Sequence, residues 1–467
     1  MNNRNLQIYN SLTHSKQVFK ALIPGKVNMY VCGMTVYDYC HLGHGRVLVM
    51  FDVIARYFRQ CGYEVNYVRN ITDIDDKIIH RANENNEPFL QLTERFIQAM
   101  NEDAKALGVL PPTREPRATE FIPQMLAMIE ILISKGHAYV ATNGDVCYEV
   151  NTFEQYGQLS HQDFEQLQTG ARVAVVEAKR DPLDFVLWKM AKPGEPSWDS
   201  PWGKGRPGWH IECSAMSTFC LGNHFDLHGG GFDLTFPHHE NEIAQSEGAT
   251  DTKFVDYWVH VGFIRVDQEK MSKSLGNFFT IREVLTQFPP EVLRYFLLSS
   301  HYRSALDYSL DSLKGAQLAL ERLYTCLRNF ALPTKPSDHS QQINNEYTEL
   351  FFKKMDDDFN TPEALAVLFE LVRDINRLRE VDAVKSEQLV VSLRYLAGLL
   401  GLLKDDPEQF LKSGLNVNEA EIDALINDRN RARENKQWAE ADRIRKELIA
   451  KGIILEDGAG GTTWRKL

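Results

Sequence analysis

Apolar residues along the chain change their period several times, and those changes divide it. Lys26-Val27-Asn28-Met29-Tyr30-Val31 has the pattern of a short strand, and within residues 46–60 Val47, Met50, Phe51, Ile54 and Phe58 recur at helical spacing. Gly62 suits the end of that helix. Glu64-Val65-Asn66-Tyr67-Val68 then reads as a second strand, so the beginning of the chain predicts a βαβ unit of a nucleotide-binding parallel sheet. The loop of residues 33–43 joins strand to helix. Open α/β sheets bind ligands there, beyond the carboxyl ends of strands and beside helix N-termini.

From about residue 110 to 205 the pattern differs. A helix over residues 120–136 precedes strands at 139–142 and 145–148 that flank Asn143-Gly144, a hairpin signal. Gly, Pro and Trp crowd residues 193–208, after which strand and helix signals return, among them a strand at 257–261. An insertion within one sheet domain is the expectation. From about 305 the chain turns helical, with Ala316, Leu320, Leu323 and Leu327 on one face and Leu368, Leu371, Ile375 and Leu378 on another. Residues 404–417, polar and containing Pro407 and Gly414, predict a linker to a small terminal unit that includes Gly458-Ala459-Gly460-Gly461.

At 467 residues the chain exceeds what one core organises, and 43% hydrophobic with 25% charged residues is the composition of a folded globular protein. No apolar run approaches the ~20 residues that span a bilayer. Met1-Asn2-Asn3-Arg4-Asn5 is not a signal peptide, so a cytoplasmic location without membrane contact is expected. The cysteines, Cys32, Cys40, Cys61, Cys147, Cys213, Cys220 and Cys326, are odd in number and dispersed, which predicts reduced thiols rather than a disulfide framework. A net charge of -12 opposes broad contact with phosphates, so any RNA binding must be local. No sustained heptad pattern calls for a dimer, and a monomer is expected.

Candidate chemistry lies at a few places. His41-Leu42-Gly43-His44 puts two imidazoles at a helix start, where they can donate to phosphate oxygens. Lys270-Met271-Ser272-Lys273-Ser274 has the lysines and small residues of a loop able to close over a triphosphate. Cys32 ends the first strand, Cys213 closes a helix-like segment from Trp209, and His238 and Glu242 stand four apart, on one helix face. Thiolate, imidazole and carboxylate are zinc ligands. Taken singly, each pattern also fits ordinary surface or core, and the chain lacks paired CxxC ligands.

Together the two phosphate motifs stand in the order of the class I aminoacyl-tRNA synthetase signatures. Further segments sharpen the likeness: Tyr30-Val31-Cys32-Gly33-Met34-Thr35-Val36-Tyr37-Asp38, Asn70-Ile71-Thr72-Asp73-Ile74-Asp75-Asp76-Lys77, Gly208-Trp209-His210-Ile211-Glu212-Cys213-Ser214-Ala215-Met216 and Pro237-His238-His239-Glu240-Asn241-Glu242. In these the chain closely resembles the cysteinyl-tRNA synthetase family. The resemblance implies an α/β, Rossmann-like parallel-sheet catalytic domain split over 1–110 and 206–304 by a connective insertion at 111–205. It further implies a helical bundle at 305–403 and a small C-terminal anticodon-recognition domain at 404–467.

As implied function, the chain would activate L-cysteine with ATP and Mg2+ and transfer it to tRNA-Cys. His41, His44, Lys270 and Lys273 would bind and stabilise the phosphates. One Zn2+ per chain, on Cys32, Cys213, His238 and Glu242, would select cysteine over serine, with His239 and Glu240 as neighbours and not ligands. Thr72, Trp209 and Asp233 would contact the amino acid, and Arg433, Trp438, Asp442 and Asp457 the anticodon. A soft thiolate-zinc bond discriminates where fit cannot, since a pocket rejects a near-isostere by only about a hundredfold. Two rivals remain: a related ligase joining cysteine to an amino-sugar, which has no use for an anticodon domain, and a non-catalytic tRNA-binding paralogue, which would not need the phosphate motifs.

Overall fold

The computed structural model describes residues 4–161, 178–266, 269–270, 278–328, 330, 345–412, 419–458 and 461–466. It divides into two compact units, one of residues 1–312 and 349–366, the other of 313–348 and 367–467.

The first unit is built on a four-stranded parallel sheet in the order Val255–Val261, Phe225–Gly231, Lys26–Val31, Glu64–Arg69. Parallel strands covered on both faces must be apolar on both. Val27, Met29, Tyr30 and Val31 are accordingly all fully buried. The helix Leu42–Gln60 connects the two strands of the predicted βαβ unit. It begins at Leu42 rather than at 46, because His41 caps it, so the HLGH signature is the cap and first turn instead of loop. The chain returns to the sheet on the opposite side of Lys26–Val31, as Phe225–Gly231. That reversal of direction opens a crevice above the carboxyl ends of the two central strands.

The insertion carries the helix Ile122–Ser134 and an antiparallel sheet of Ala138–Val140, Val146–Tyr148, Phe185–Met190 and Gly205–Pro207. The hairpin strands are shorter than the pattern predicted because the turn begins early: the Ala141 N–H donates to Asp145 O at 2.7 Å. Gly144, at φ +89°, supplies the left-handed turn residue. Met125, Tyr148 and Trp188 of the insertion share one core with Tyr30, Met216 and Trp258 of the sheet layer, so the inserted segment is packed into the catalytic body.

Residues just past 305 are not yet helical. Leu306–Tyr308 is a strand, parallel to Ile264–Val266, and the helix Leu310–Leu327 follows it. Residues 349–366, expected in the bundle, belong to the first unit. The buried Asp358 carboxylate holds them there, accepting from Tyr9 N at 2.8 Å, Tyr302 Oη at 2.7 Å and Arg303 Nε at 2.7 Å.

The second unit is helical and ends in the helix pair Glu419–Glu434 and Trp438–Ala450 and the hairpin Ile453–Gly458 with Gly461–Lys466. The predicted linker contains a helix, Pro407–Lys412, whose Phe410 stacks on Tyr324 with ring centres 4.1 Å apart. Arg328, 4% exposed, donates to Glu408, to Glu456 at 3.0 Å and to Trp464 O at 2.6 Å. Lys404, Asp405 and Asp406 are exposed as in a linker, but Glu408 and Phe410 anchor the helix that follows to Arg328 and Tyr324; Gly414 lies outside the described residues.

Candidate active site and metal centre

A cleft of about 490 Å3 occupies the crevice, walled by the loop after Lys26–Val31, the start of Leu42–Gln60, and the segments that follow Phe225–Gly231 and Val255–Val261. Close approach shapes the loop: a Cβ on Gly33 would lie 1.7 Å from Asn70 O. His41 and His44 line the cleft and cap one another. His44 N donates to His41 Nδ1 at 3.2 Å and His41 N to His44 Nδ1 at 3.3 Å, with the rings stacked at 3.5 Å. Because each Nδ1 accepts, each neutral ring carries its proton on Nε2, the outward donor. Gly43 makes room for this, since a Cβ there would sit 2.8 Å from His41 Cε1.

The far wall is fixed by Arg46, a buried residue without sequence signal. Its guanidinium donates to Gly262 O and Phe263 O at 3.0 Å and to His301 O at 3.0 Å, and burial lowers its pKa to about 10. Lys270 falls in the two-residue strand Glu269–Lys270, paired with Arg265 and Val266. Lys273 lies outside the described residues. The chain beyond that loop is stitched to the histidine turn by Leu42 N to Phe279 O at 3.1 Å and Ile281 N to Cys40 O at 2.9 Å.

Beside the cleft, four side chains from three separate segments meet. Cys32 Sγ lies 3.6 Å from Cys213 Sγ and 3.3 Å from Glu242 Oε1, and His238 Nε2 lies 3.1 Å from the same oxygen. A tetrahedral metal with bonds of about 2.0–2.3 Å spaces its ligand atoms about 3.3–3.8 Å apart. The set therefore fits a zinc-sized ion with little adjustment, and all four residues are buried. His238 is not on a regular helix as expected: an irregular turn, Thr235–His239, precedes the helix Glu240–Thr250, yet the pair still meets.

Charge at the cluster follows from burial and mutual contact. Burial pushes the Cys32 thiol well up, reinforced by Cys213 and Glu242. Against the same burial, Cys32 and His238 hold Cys213 at about 6, and His228 and His238 hold Glu242 at about 2. Thiolate and carboxylate are the forms that bind metal.

Cys32 and Glu242 also form a second quartet with His228 and His239. Each of its histidines is engaged at one ring nitrogen, while Nε2 of His239 has no hydrogen-bond partner among the described residues. His228 Nε2 hydrogen-bonds Glu242 Oε2 at 2.8 Å, and His239 Nδ1 hydrogen-bonds His260 Nε2 at 2.8 Å. His210 Nδ1 lies 2.9 Å from His238 Nδ1, which leaves His238 Nε2 for the cluster. Such contacts orient first ligands and tune them. His210, His228 and His260 are scattered single letters that no spacing rule could have gathered.

Comparison with known proteins identifies the family of the chain. The family model for the tRNA synthetases class I (C) catalytic domain matches residues 18–318, a DALR domain 350–404, and the cysteinyl-tRNA ligase anticodon binding domain 418–465. The cysteine-tRNA ligase of Thioalkalivibrio sulfidiphilus is 63% identical over 99% of this chain and 100% of its own length. That of Methylococcus capsulatus is 61% identical over the same shares. The chain belongs to the cysteine-tRNA ligase family. Solved structures of Mycobacterium tuberculosis methionyl-tRNA synthetase with methionyl-adenylate (TM-score 0.56, 14% identity, 83% of this chain and 91% of that one) and of an Agrobacterium radiobacter LeuRS-tRNA complex (TM-score 0.57, 12% identity, 85% and 87%) share the class I synthetase fold.

Of the residues expected to touch cysteine in this ligase family, Trp209 and Asp233 line the cleft, and the Trp209 ring stands 4.3 Å from that of His238. Thr72 does not line it. It is buried 1% exposed behind the wall, where its backbone bridges to Thr35. In the part matched as the anticodon-binding domain, Trp438 is 60% exposed at the start of its helix, and Asp442 is exposed on the same helix. Arg433 and Asp457 pair with each other at 2.8 Å, while Arg429 grips both Asp457 oxygens at 2.9 and 2.8 Å. All seven cysteines are free thiols, and among the described residues no helix is long and apolar enough to cross a membrane.

Proposed function

We propose that this chain carries out the reaction of its family, the ATP-dependent joining of L-cysteine to tRNA-Cys through cysteinyl-adenylate, and that it selects its amino acid through zinc on Cys32, Cys213, His238 and Glu242. The convergence of these four donors beside the cleft carries the reading. Bound there, zinc supplies a soft partner for the substrate sulfur, a bond that serine's hydroxyl makes poorly.

The chain's own residues do the rest. The cleft holds the cysteine carboxylate in line with the α-phosphorus of ATP, an arrangement worth most of the rate in a reaction without a covalent protein nucleophile. The Nε2 protons of His41 and His44, at a positive helix end, stabilise charge on the phosphoryl group as Mg2+-pyrophosphate leaves. Lys270 and Lys273 bind the departing phosphates. Trp209 and Asp233 bracket the amino acid against His238. Trp438, Asp442, Arg433 and Asp457 meet the anticodon, the last two exchanging their mutual ion pair for contacts to RNA. We assign the enzyme to the cytoplasm, acting as a monomer.

The decisive experiment is cysteine- and serine-dependent ATP-pyrophosphate exchange and tRNA charging, with and without a zinc chelator. Cysteine exchange with about one zinc per chain, lost on chelation and regained with zinc, is expected. Full discrimination against serine in metal-free protein would overturn the zinc assignment.

A further inference from the structure

Outer contacts support two of the four proposed ligands: His228 Nε2 bonds Glu242 Oε2 at 2.8 Å, and His210 Nδ1 lies 2.9 Å from His238 Nδ1. The sulfur of Cys213 has a comparable neighbour in Tyr30. That residue stands two positions before Cys32 on the central strand Lys26–Val31, and side chains two apart on a strand leave the same face. Both therefore enter the core that also contains Cys213. Tyr30 is 0% exposed, and its ring meets that of His228 edge-on, with centres 5.1 Å apart and planes at 64°.

A buried phenol needs a partner for its hydroxyl. Among the described residues no oxygen or nitrogen pairs with that of Tyr30. Its hydrogen-bond partner is the Cys213 sulfur, and Cys32 and Glu242 are the next groups to act on it by charge. A ring needed only for packing could be phenylalanine, which buries the same surface with no polar group to satisfy. Tyr30 does not line the cleft, whereas Val31 and Cys32 beside it do, so its hydroxyl acts through Cys213 rather than on the substrate.

We propose that Tyr30 is a positioning residue of the metal centre, its O–H donating to the Cys213 sulfur and its ring bracing His228 where that residue meets Glu242. A hydrogen bond to a thiolate draws charge off the sulfur, so Cys213 donates less to a bound ion. The ion then accepts a further thiolate, that of the substrate, more readily. The same contact holds the Cys213 side chain in the orientation that faces the other three ligands. Tyr30 thereby sets how strongly the centre attracts cysteine without touching it. The inference rests on the zinc-selection reading of this site.

The test loads full-length wild type and Tyr30→Phe with cobalt(II), whose sulfur-to-metal charge-transfer band reports the charge on the coordinated thiolates. Loss of the donor raises the energy of the sulfur electrons, so the band should move to longer wavelength in the variant. A band that stays in place, or moves to shorter wavelength, would overturn the proposal. Zinc affinity, read by competition with a chromophoric chelator, should fall about tenfold. In pyrophosphate exchange the KM for cysteine should rise about tenfold while that for ATP stays within about twofold. Wild-type values of either zinc affinity or cysteine KM would count against the role. Because the variant keeps the ring, its circular dichroism should match that of wild type. Should it fail to fold, 3-fluorotyrosine in place of Tyr30 supplies a stronger donor, for which a shift to shorter wavelength is expected and an unmoved band would refute the contact. Wild type that takes up no cobalt would defeat the zinc reading itself, whereas a normal wild-type band with an indifferent variant defeats only the role of Tyr30.

Discussion

Cys32 Sγ lies 3.6 Å from Cys213 Sγ, although 181 positions separate them in the chain. One sulfur ends a central strand of the sheet and the other sits one turn into a helix that follows the insertion. Folding therefore has to complete the sheet and seat the insertion before a metal can find its ligands, and site and core are built by the same contacts.

Removing one sulfur tests that construction. Cys213→Ser should lower bound zinc, read by atomic absorption, well below one per chain, and should reduce cysteine activation by about a hundredfold or more. Stoichiometric zinc in that variant would contradict the ligand assignment.

The reciprocal cap between His41 and His44 depends on the absence of a side chain between them. Gly43→Ala puts a methyl 2.8 Å from His41 Cε1 and should turn that ring out of the cap. Pyrophosphate exchange is expected to fall about 10–100-fold in kcat, with the KM for cysteine little changed. A rate near wild type would mean that the paired imidazoles need not be held in this arrangement.

Stability should carry a pH signature from Asp103, which forms a 2.9 Å ion pair with Arg282. Burial, only partly offset by Arg282, pushes its carboxyl up to about 6. The folded chain therefore keeps a proton that the unfolded chain releases near its ordinary pKa of about 4, and this group's contribution is most favourable at low pH and is lost as pH rises through about 6. Asp103→Asn removes the dependence, so in urea unfolding the variant should gain on wild type between pH 4 and 6, a window bounded by those two values. A constant difference over that range would refute the shift.

Trp438, 60% exposed, buries little in the unbound protein. Trp438→Ala should leave melting temperature and pyrophosphate exchange unchanged while raising the KM for tRNA about tenfold, the scale of a lost base-aromatic stack. Charging kinetics indifferent to the change would remove this residue from the anticodon surface.

Much of the architecture could be read from local pattern. The strand Lys26–Val31 and the βαβ connection stand as periodicity predicted, because a strand covered on both faces and a helix covered on one leave different apolar repeats in a short window. The insertion hairpin announced itself through Asn143-Gly144. Errors fell where a residue's local character and its surroundings disagreed. Residues 404–412 hold a short helix because Phe410 stacks on Tyr324 and Glu408 pairs with Arg328, contacts that their polar composition does not announce. Leu306–Tyr308 is a strand only because Ile264–Val266 offers it an edge.

The sequence by itself determined the kinds of chemistry available: thiols, imidazoles and a carboxylate, two imidazoles at a helix start, and an aromatic and basic C-terminal stretch. It set their order along the chain and, through its signatures, the family. Only the tertiary structure decided which groups meet: that His228 and His210 buttress Glu242 and His238, that Thr72 is buried with its backbone against Thr35, and that Trp209 stands against His238. The physical reason is range. A cap or a hairpin is settled by residues a few positions apart. A metal centre at the reversal point of a parallel sheet depends on which strands lie side by side, and no short window encodes that.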